Sequence, residues 1–309
     1  MQLTDTLLMV RPAQFGYNAE TAVSNAFQSV PEGSGEAINA QAQKEFDDFV
    51  DLLQSNGITV HVVQDSQHPS KPDAVFPNNW ISVNRDGSSV LYPMLSEARR
   101  LERQQPIIDV VQGLTGQSEV YDWSHFEAEN HYLEGTGSMV LDHVNKRLYA
   151  CRSARTHECV VTQWAATFNY QPIIFDAIDR NGVPVYHTNV LMSIGEEFLV
   201  ICLEAIPSAA QRKWLINHFN DTPHMVIPIT LEQMESFAGN ILQLRNANDE
   251  RLIVLSQAAY NSLGEVQLNR LYGHGKLLVA ELSTIERYGG GSARCMMAEL
   301  FGVPSAVTQ

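Results

Sequence analysis

The sequence predicts an α/β fold built from repeated strand–strand–helix–strand units. Three observations carry this. Short apolar runs, each led by a small polar residue, recur at a fixed offset; a second set of apolar runs keeps phase with them; and helical stretches followed by a third apolar run close each unit.

The first strand of each unit is read from Gly137-Ser138-Met139-Val140-Leu141, Thr188-Asn189-Val190-Leu191-Met192 and Gly239-Asn240-Ile241-Leu242-Gln243, spaced by 51 residues and 51 again. A fourth copy, Asn78-Asn79-Trp80-Ile81-Ser82, stands 59 residues before the Gly137 segment. The second strands are Leu148–Cys151, Leu199–Cys202 and Arg251–Leu255, reached through hairpin-type residues such as Asp142–Lys146 and Gly195–Glu197. Helices are expected over Thr156–Phe168, Ser208–Phe219, and Ser256–Asn261 with Glu265–Tyr272. Third strands are expected over Gln171–Phe175, His224–Ile229 and Lys276–Glu281. At roughly 50–60 residues per unit, five units fit the chain. No such unit buries its apolar face alone. Set around an axis, five of them make one closed α/β propeller, and residues 1–309 are expected to form a single domain.

The chain has 309 residues, 44% apolar and 18% charged, which is the composition of a globular protein that needs no disulfide or metal to hold its core. Asp plus Glu is 35 and Lys plus Arg is 20, for a net charge of −15. That field argues against nucleic acid and anionic membranes as partners. The apolar run Leu7–Val10 lacks the length and basic leader of a secretion signal, and no window is long enough to span a bilayer. Cys151, Cys159, Cys202 and Cys295 form no CxxC pair and no zinc spacing, so the cytoplasm with reduced thiols is the expected location. No metal-ligand pattern is present, and no cofactor is expected. The Gly135–Gly137 GxG lacks a Rossmann setting, and Gly289–Gly291 lacks the P-loop Lys-Ser/Thr.

Around an axis, the loops that lead into the first strands converge. They carry Asp73 and Asn79, Glu134, His187 and Asn189, and Cys295. Thiol, imidazole and carboxylate from different units are the set that nucleophilic catalysis requires. Each has a plain alternative: a buried cysteine is usually a small hydrophobe, and the chain holds ten histidines. Cys151 and Cys202, inside apolar strands, fit that alternative, and Cys159 reads as structural. Cys295 stands apart because it follows three glycines and neighbours Arg294, whose charge would favour thiolate.

These motifs resemble the pentein superfamily of guanidine-group-modifying enzymes: arginine deiminases, dimethylargininases and amidinotransferases. The resemblance rests on Pro72-Asp73-Ala74-Val75-Phe76, Leu133-Glu134-Gly135-Thr136-Gly137, Ser153-Ala154-Arg155-Thr156, Tyr186-His187-Thr188-Asn189 and Gly289-Gly290-Gly291-Ser292-Ala293-Arg294-Cys295-Met296. It implies a five-bladed propeller, with Cys295 as nucleophile, His187 as general acid/base, and Glu134 as the carboxylate that binds substrate nitrogen or orients His187. It also implies Arg155 as the clamp on a substrate α-carboxylate, Arg99 or Arg100 as a second one, and Asp73 as a contact to the substrate amine or reacting end.

Against that pattern, Asn79 and Asn189 stand where deiminases place aspartates, and Gly137 replaces a third acidic residue. Two neutral amides suit a ureido group better than a guanidinium, because an amide offers both a donor and an acceptor. The resemblance is greatest to citrulline hydrolases. The expected reaction is therefore citrulline to ornithine, carbon dioxide and ammonia through a carbamoyl-thioester on Cys295. The alternative is a guanidino enzyme of the same fold. A non-catalytic member that binds a partner protein is the third reading. The expected partner is a small amino acid, with a homodimer left open. The proline-rich loop Ser66–Pro77 is a candidate lid.

Overall fold

The computed structural model describes residues 1–23, 25, 27–30 and 33–303. Strand β1 (Thr6–Arg11) pairs in parallel with β2 (Thr59–Gln64) across the connecting helix Gly35–Ser55. Ser34 caps that helix through Ala37 N, and Ile38, Ala42, Glu45, Phe46, Phe49, Val50 and Leu53 form its buried stripe at helical spacing. Four three-stranded sheets follow: β3 (Ile81–Val83), β4 (Ser89–Leu91) and β5 (Val120–Asp122); β6 (Val140–Asp142), β7 (Arg147–Cys151) and β8 (Gln171–Phe175); β9 (Met192–Ile194), β10 (Phe198–Ile201) and β11 (Met225–Pro228); β12 (Leu242–Arg245), β13 (Arg251–Ser256) and β14 (Lys276–Ala280). In each, the first two strands are antiparallel and the second and third parallel.

The fifth sheet has the same pattern but is assembled from both ends of the chain. The last strand, β15 (Ala298–Glu299), runs antiparallel to β1 with Leu8 opposite Ala298, and β1 then pairs with β2. The repeat therefore has five copies. First strands contact one another: β15 with β3, β6 with β9, and β9 with β12.

Second and third strands fall within a few residues of the positions expected from the repeat, and β8 spans Gln171–Phe175 as expected. The buried second strands β7 and β10 read as near-continuous apolar runs because both of their faces are covered. The first strands depart from expectation. The residues that open three of the four runs form a helical turn, Pro77–Asn79, Gly135–Ser138 or Thr188–Leu191, and the strand starts after it. These turns pack together: 135–138 touches 77–79 and 188–191, and 77–79 touches the turn Ala293–Met296. No helix among the described residues is long and apolar enough to cross a membrane.

Candidate active site

Glu134, His187, Asn189, Asn79 and Cys295 sit just before or inside the turns that enter first strands, whereas Arg99 and Arg155 follow the second strands β4 and β7. Glu134 precedes the turn 135–138, His187 precedes the turn holding Asn189, and Asn79 ends the turn 77–79. Cys295 lies in the turn Ala293–Met296. Its approach is fixed from behind. Glu45 accepts the backbone N–H groups of Thr284 and Ile285 at 3.0–3.1 Å, seating the helix Ser283–Gly289. That helix ends at Gly290, whose φ of +63° is the left-handed conformation glycine adopts without strain.

One small pocket is lined by Cys295, His187, Asp73, Asn79, Arg99 and Arg155, together with Phe76, Tyr186 and the 289–291 glycines. Cys295, His187, Glu134, Asn189, Arg99, Arg155, Asp73 and Asn79 are all nearly fully buried. His187 Nε2 is 2.8 Å from Glu134 Oε2. The other carboxylate oxygen of Glu134 accepts Leu95 N at 3.1 Å. Arg155 Nη1 reaches Glu134 Oε2 at 3.5 Å, Nη2 donates to Thr21 O at 2.9 Å, and the guanidinium lies over the Tyr186 ring at 5.1 Å. Arg99 holds Glu102 bidentately at 2.9 Å through each nitrogen, and donates to Asn79 Oδ1 at 2.8 Å.

Burial favours the neutral forms, and charge decides the rest. Burial raises the Glu134 carboxyl, but Arg155, His187 and Arg99 outweigh it and hold the group ionised, at about 2. Burial lowers the His187 ring to about 4, with Glu134 opposing and Arg155 and Arg99 assisting. The pair is thus an ionised carboxylate accepting from a neutral imidazole. Burial also raises Asp73, against Arg99, Asn18, Arg155 and Thr21. Its Oδ2 accepts from Asn18 at 2.8 Å, while Oδ1 is buried with no partner in a pocket-lining residue.

The Cys295 sulfur has amide partners. Asn189 Nδ2 is 3.6 Å away and Asn240 Nδ2 is 3.3 Å away. Cys151 and Cys202 are buried thiols that burial pushes up to about 12 and about 11, as expected of residues packed against apolar strands.

The structure bears on several further expectations. Arg294 does not serve Cys295 with its charge: its guanidinium donates to Met297 O at 2.8 Å and pairs with Glu299 at 2.9 Å. Of the two arginines after Ser96, Arg99 enters the pocket, whereas Arg100 turns to Met94 O at 3.0 Å and Glu127 at 3.3 Å. Gly137 is not simply a lost carboxylate, because a Cβ there would strike Asn79 Nδ2 and come within 2.8 Å of His187 Nδ1. Cys159 is exposed at the start of the helix Glu158–Phe168. The Ser66–Pro77 loop is fastened at its base by buried Lys71, which reaches Pro69 O at 2.7 Å and Asp65 at 3.2 Å. Thr21, Asn25 and Gln28 line the pocket beside Asp73 and Phe76 of that loop, with Asn25 and Gln28 donating to the Gly290 and Gly289 carbonyls.

Asn240 and Tyr186 are contacts that residue type did not single out. The repeat held the signal for Asn240, which lies 51 residues after Asn189. Tyr186 adjoins His187 and donates from its hydroxyl to Gly290 O, joining the histidine loop to the cysteine loop. Among the described residues no group of three or more His, Cys, Asp or Glu is placed to hold a metal ion.

The family model for N,N dimethylarginine dimethylhydrolase, eukaryotic, matches residues 11–302. The chain belongs to this family. It is thereby a pentein, in a superfamily of guanidino-modifying enzymes that includes hydrolases acting on C–N bonds of arginine-type substrates. No curated protein is similar enough to count as a match. Among solved structures, apo ArgZ, an arginine dihydrolase from the ornithine–ammonia cycle in cyanobacteria, superposes with a TM-score of 0.74 at 17% identity, covering 96% of this chain and 40% of ArgZ. The substrate-bound N-terminal domain of ArgZ gives 0.73 at 18%, covering 96% of this chain and 98% of that domain. A dimethylarginine dimethylaminohydrolase variant, in an adduct with S-methyl-L-thiocitrulline, gives 0.64 at 15%, covering 96% and 99%. The chain therefore spans about 40% of whole ArgZ but nearly all of its N-terminal domain. At these identities the superpositions establish the fold. The family is named for dimethylarginine, which favours the guanidino alternative over the citrulline expectation.

Proposed function

We propose that the chain is a cysteine-dependent hydrolase that cleaves a terminal C–N bond of a guanidino amino acid of the arginine type. We read the five sheets as the blades of a propeller closed by β15 on β1, and residues 1–309 as one catalytic unit. The observation that carries the proposal is one small pocket lined by Cys295, His187 and Arg155, with Glu134 bonded to both His187 and Arg155.

In this reading neutral His187 takes the Cys295 proton. The thiolate attacks the guanidinium carbon, and His187 returns the proton to the departing amine as the C–N bond breaks. Water, deprotonated by His187, then attacks the S-linked amidino carbon and expels the thiolate, leaving a ureido product. Arg155 clamps the substrate α-carboxylate, and the open Oδ1 of Asp73 receives the α-ammonium. Glu134 keeps His187 oriented and faces the substrate cation.

A second reading is favoured by one observation: the sulfur's own partners are the neutral amides of Asn189 and Asn240. That setting suits a ureido carbon, and with it citrulline as substrate and ornithine as product. Ammonia or amine release from arginine, methylated arginines and citrulline, run side by side with a Cys295→Ser control, tests both. Release from a guanidino substrate, lost in Cys295→Ser, is expected. Release from citrulline alone moves the assignment to the second reading, and release that persists in Cys295→Ser overturns both.

A further inference from the structure

Asn240 is fully buried directly ahead of β12, and its amide orientation is fixed by two main-chain partners of opposite kind. Arg294 N donates to its Oδ1 at 3.0 Å, and its Nδ2 donates to Asn189 O at 3.0 Å. A turned amide would set its NH2 against the Arg294 N–H and its carbonyl against the Asn189 carbonyl, losing both bonds and opposing like groups. The second hydrogen of Nδ2 is then left for the Cys295 sulfur at 3.3 Å. Asn189 differs. Both of its amide atoms lie near the same sulfur, at 3.6 and 3.9 Å, as do those of Asn240 at 3.3 and 3.7 Å, but only the Asn240 amide has Arg294 N and Asn189 O to fix which atom is the donor.

We propose that Asn240 is a catalytic residue of this site: its Nδ2–H donates to the Cys295 sulfur and favours the thiolate, readying the nucleophile without a neighbouring cation. A donor aimed at the charged form of an acid stabilises that form, and thiolate content sets a cysteine's reactivity. The arrangement fills the place left by Arg294, whose guanidinium is turned to Met297 and Glu299. It gives the two repeat-related asparagines different tasks. Asn240 is committed to the sulfur, while the Asn189 amide remains adaptable to the reacting group of the substrate. The proposal rests on Cys295 being the nucleophile.

The test is a titration of the Cys295 thiol without substrate. Ultraviolet thiolate absorbance is followed as pH rises, as the difference between each protein and its Cys295→Ser counterpart, with thermal melting alongside. Asn240→Ala is expected to raise the inflection by about one pH unit or more, the scale of one hydrogen bond to a charged group. Turnover at neutral pH should fall about tenfold and recover as pH is raised. Asn189→Ala should move the inflection less. If the alanine variant fails to fold, Asn240→Ser, which keeps a polar group for the Arg294 N–H, is expected to show the same upward shift. An unmoved inflection in a folded Asn240 variant, or equal shifts for Asn189→Ala and Asn240→Ala, overturns the proposal. Failure of the nucleophile reading is seen separately, as full turnover in Cys295→Ser.

Discussion

The Cys295 sulfur contacts the neutral amides of Asn189 and Asn240, whereas Glu134, His187, Arg99, Glu102 and Arg155 form an ionic network buried from water. The amides tune a reacting atom with dipoles. The network holds charges that desolvation penalises heavily unless each keeps its partner. Substitutions in the two groups should therefore separate. Those near the sulfur change reactivity with little loss of fold, while those in the network change folding stability as well.

The largest effect is expected for Glu134→Gln. His187 would lose its ionised partner and the orientation it enforces, and kcat should fall on the order of 10³–10⁴-fold. Steady-state kinetics checks this, and a fall below tenfold would detach Glu134 from the proposed chemistry.

Next is Arg99→Leu. It leaves Glu102 buried without its bidentate partner, and about 3–5 kcal/mol of folding stability should be lost. Chemical denaturation measures it. Adding Glu102→Leu should recover much of the loss, which a purely substrate-binding role for Arg99 does not predict.

Acid stability sharpens the same contrast. His187 is held at about 4 in the folded chain against an ordinary 6.5, so below pH 6.5 the unfolded state binds the extra proton. Its contribution is fully present above pH 6.5 and is lost as pH falls towards 4. Glu134, also depressed, acts in the same direction at lower pH. Between pH 7 and 4, His187→Gln should therefore lose less melting temperature than the parent, by up to about 3 kcal/mol of stability. Parallel melting curves across that range would contradict it.

The smallest effect, about tenfold, is expected for Asn189→Asp. A carboxylate beside the reacting carbon should raise the arginine-to-citrulline ratio of kcat/KM. A ratio that falls would reverse the charge argument.

Much of the architecture was legible because the repeat is local. Strand pairs such as Leu148 with Leu141 lie a hairpin apart, and the 51-residue offset carries the pattern from unit to unit. The pairing of Leu8 with Ala298 was not legible, since no local pattern marks two strands that meet from opposite ends of the chain. Among site residues, Cys295 and Glu134 stood out beside glycines at unit edges, and His187, one of ten histidines, stood out only by its place at the leading edge of the repeat. Which of Arg99 and Arg100 faces inward is a matter of one residue's rotation around a four-residue helix, beyond what spacing resolves. Thr21, Asn25 and Gln28 reach the pocket from a segment with no repeat counterpart. Asn240 was hidden by its type: an asparagine opening an apolar run reads as a turn residue until its neighbour is seen to be a sulfur.

The most direct test of the central claim is mass analysis of protein quenched in acid during turnover of arginine, methylated arginine or citrulline. The account predicts a mass increment matching the substrate's carbon-bearing fragment, located on the peptide that holds Cys295 and absent from Cys295→Ser. An increment on Cys151, Cys159 or Cys202, or undiminished turnover in Cys295→Ser, would contradict it.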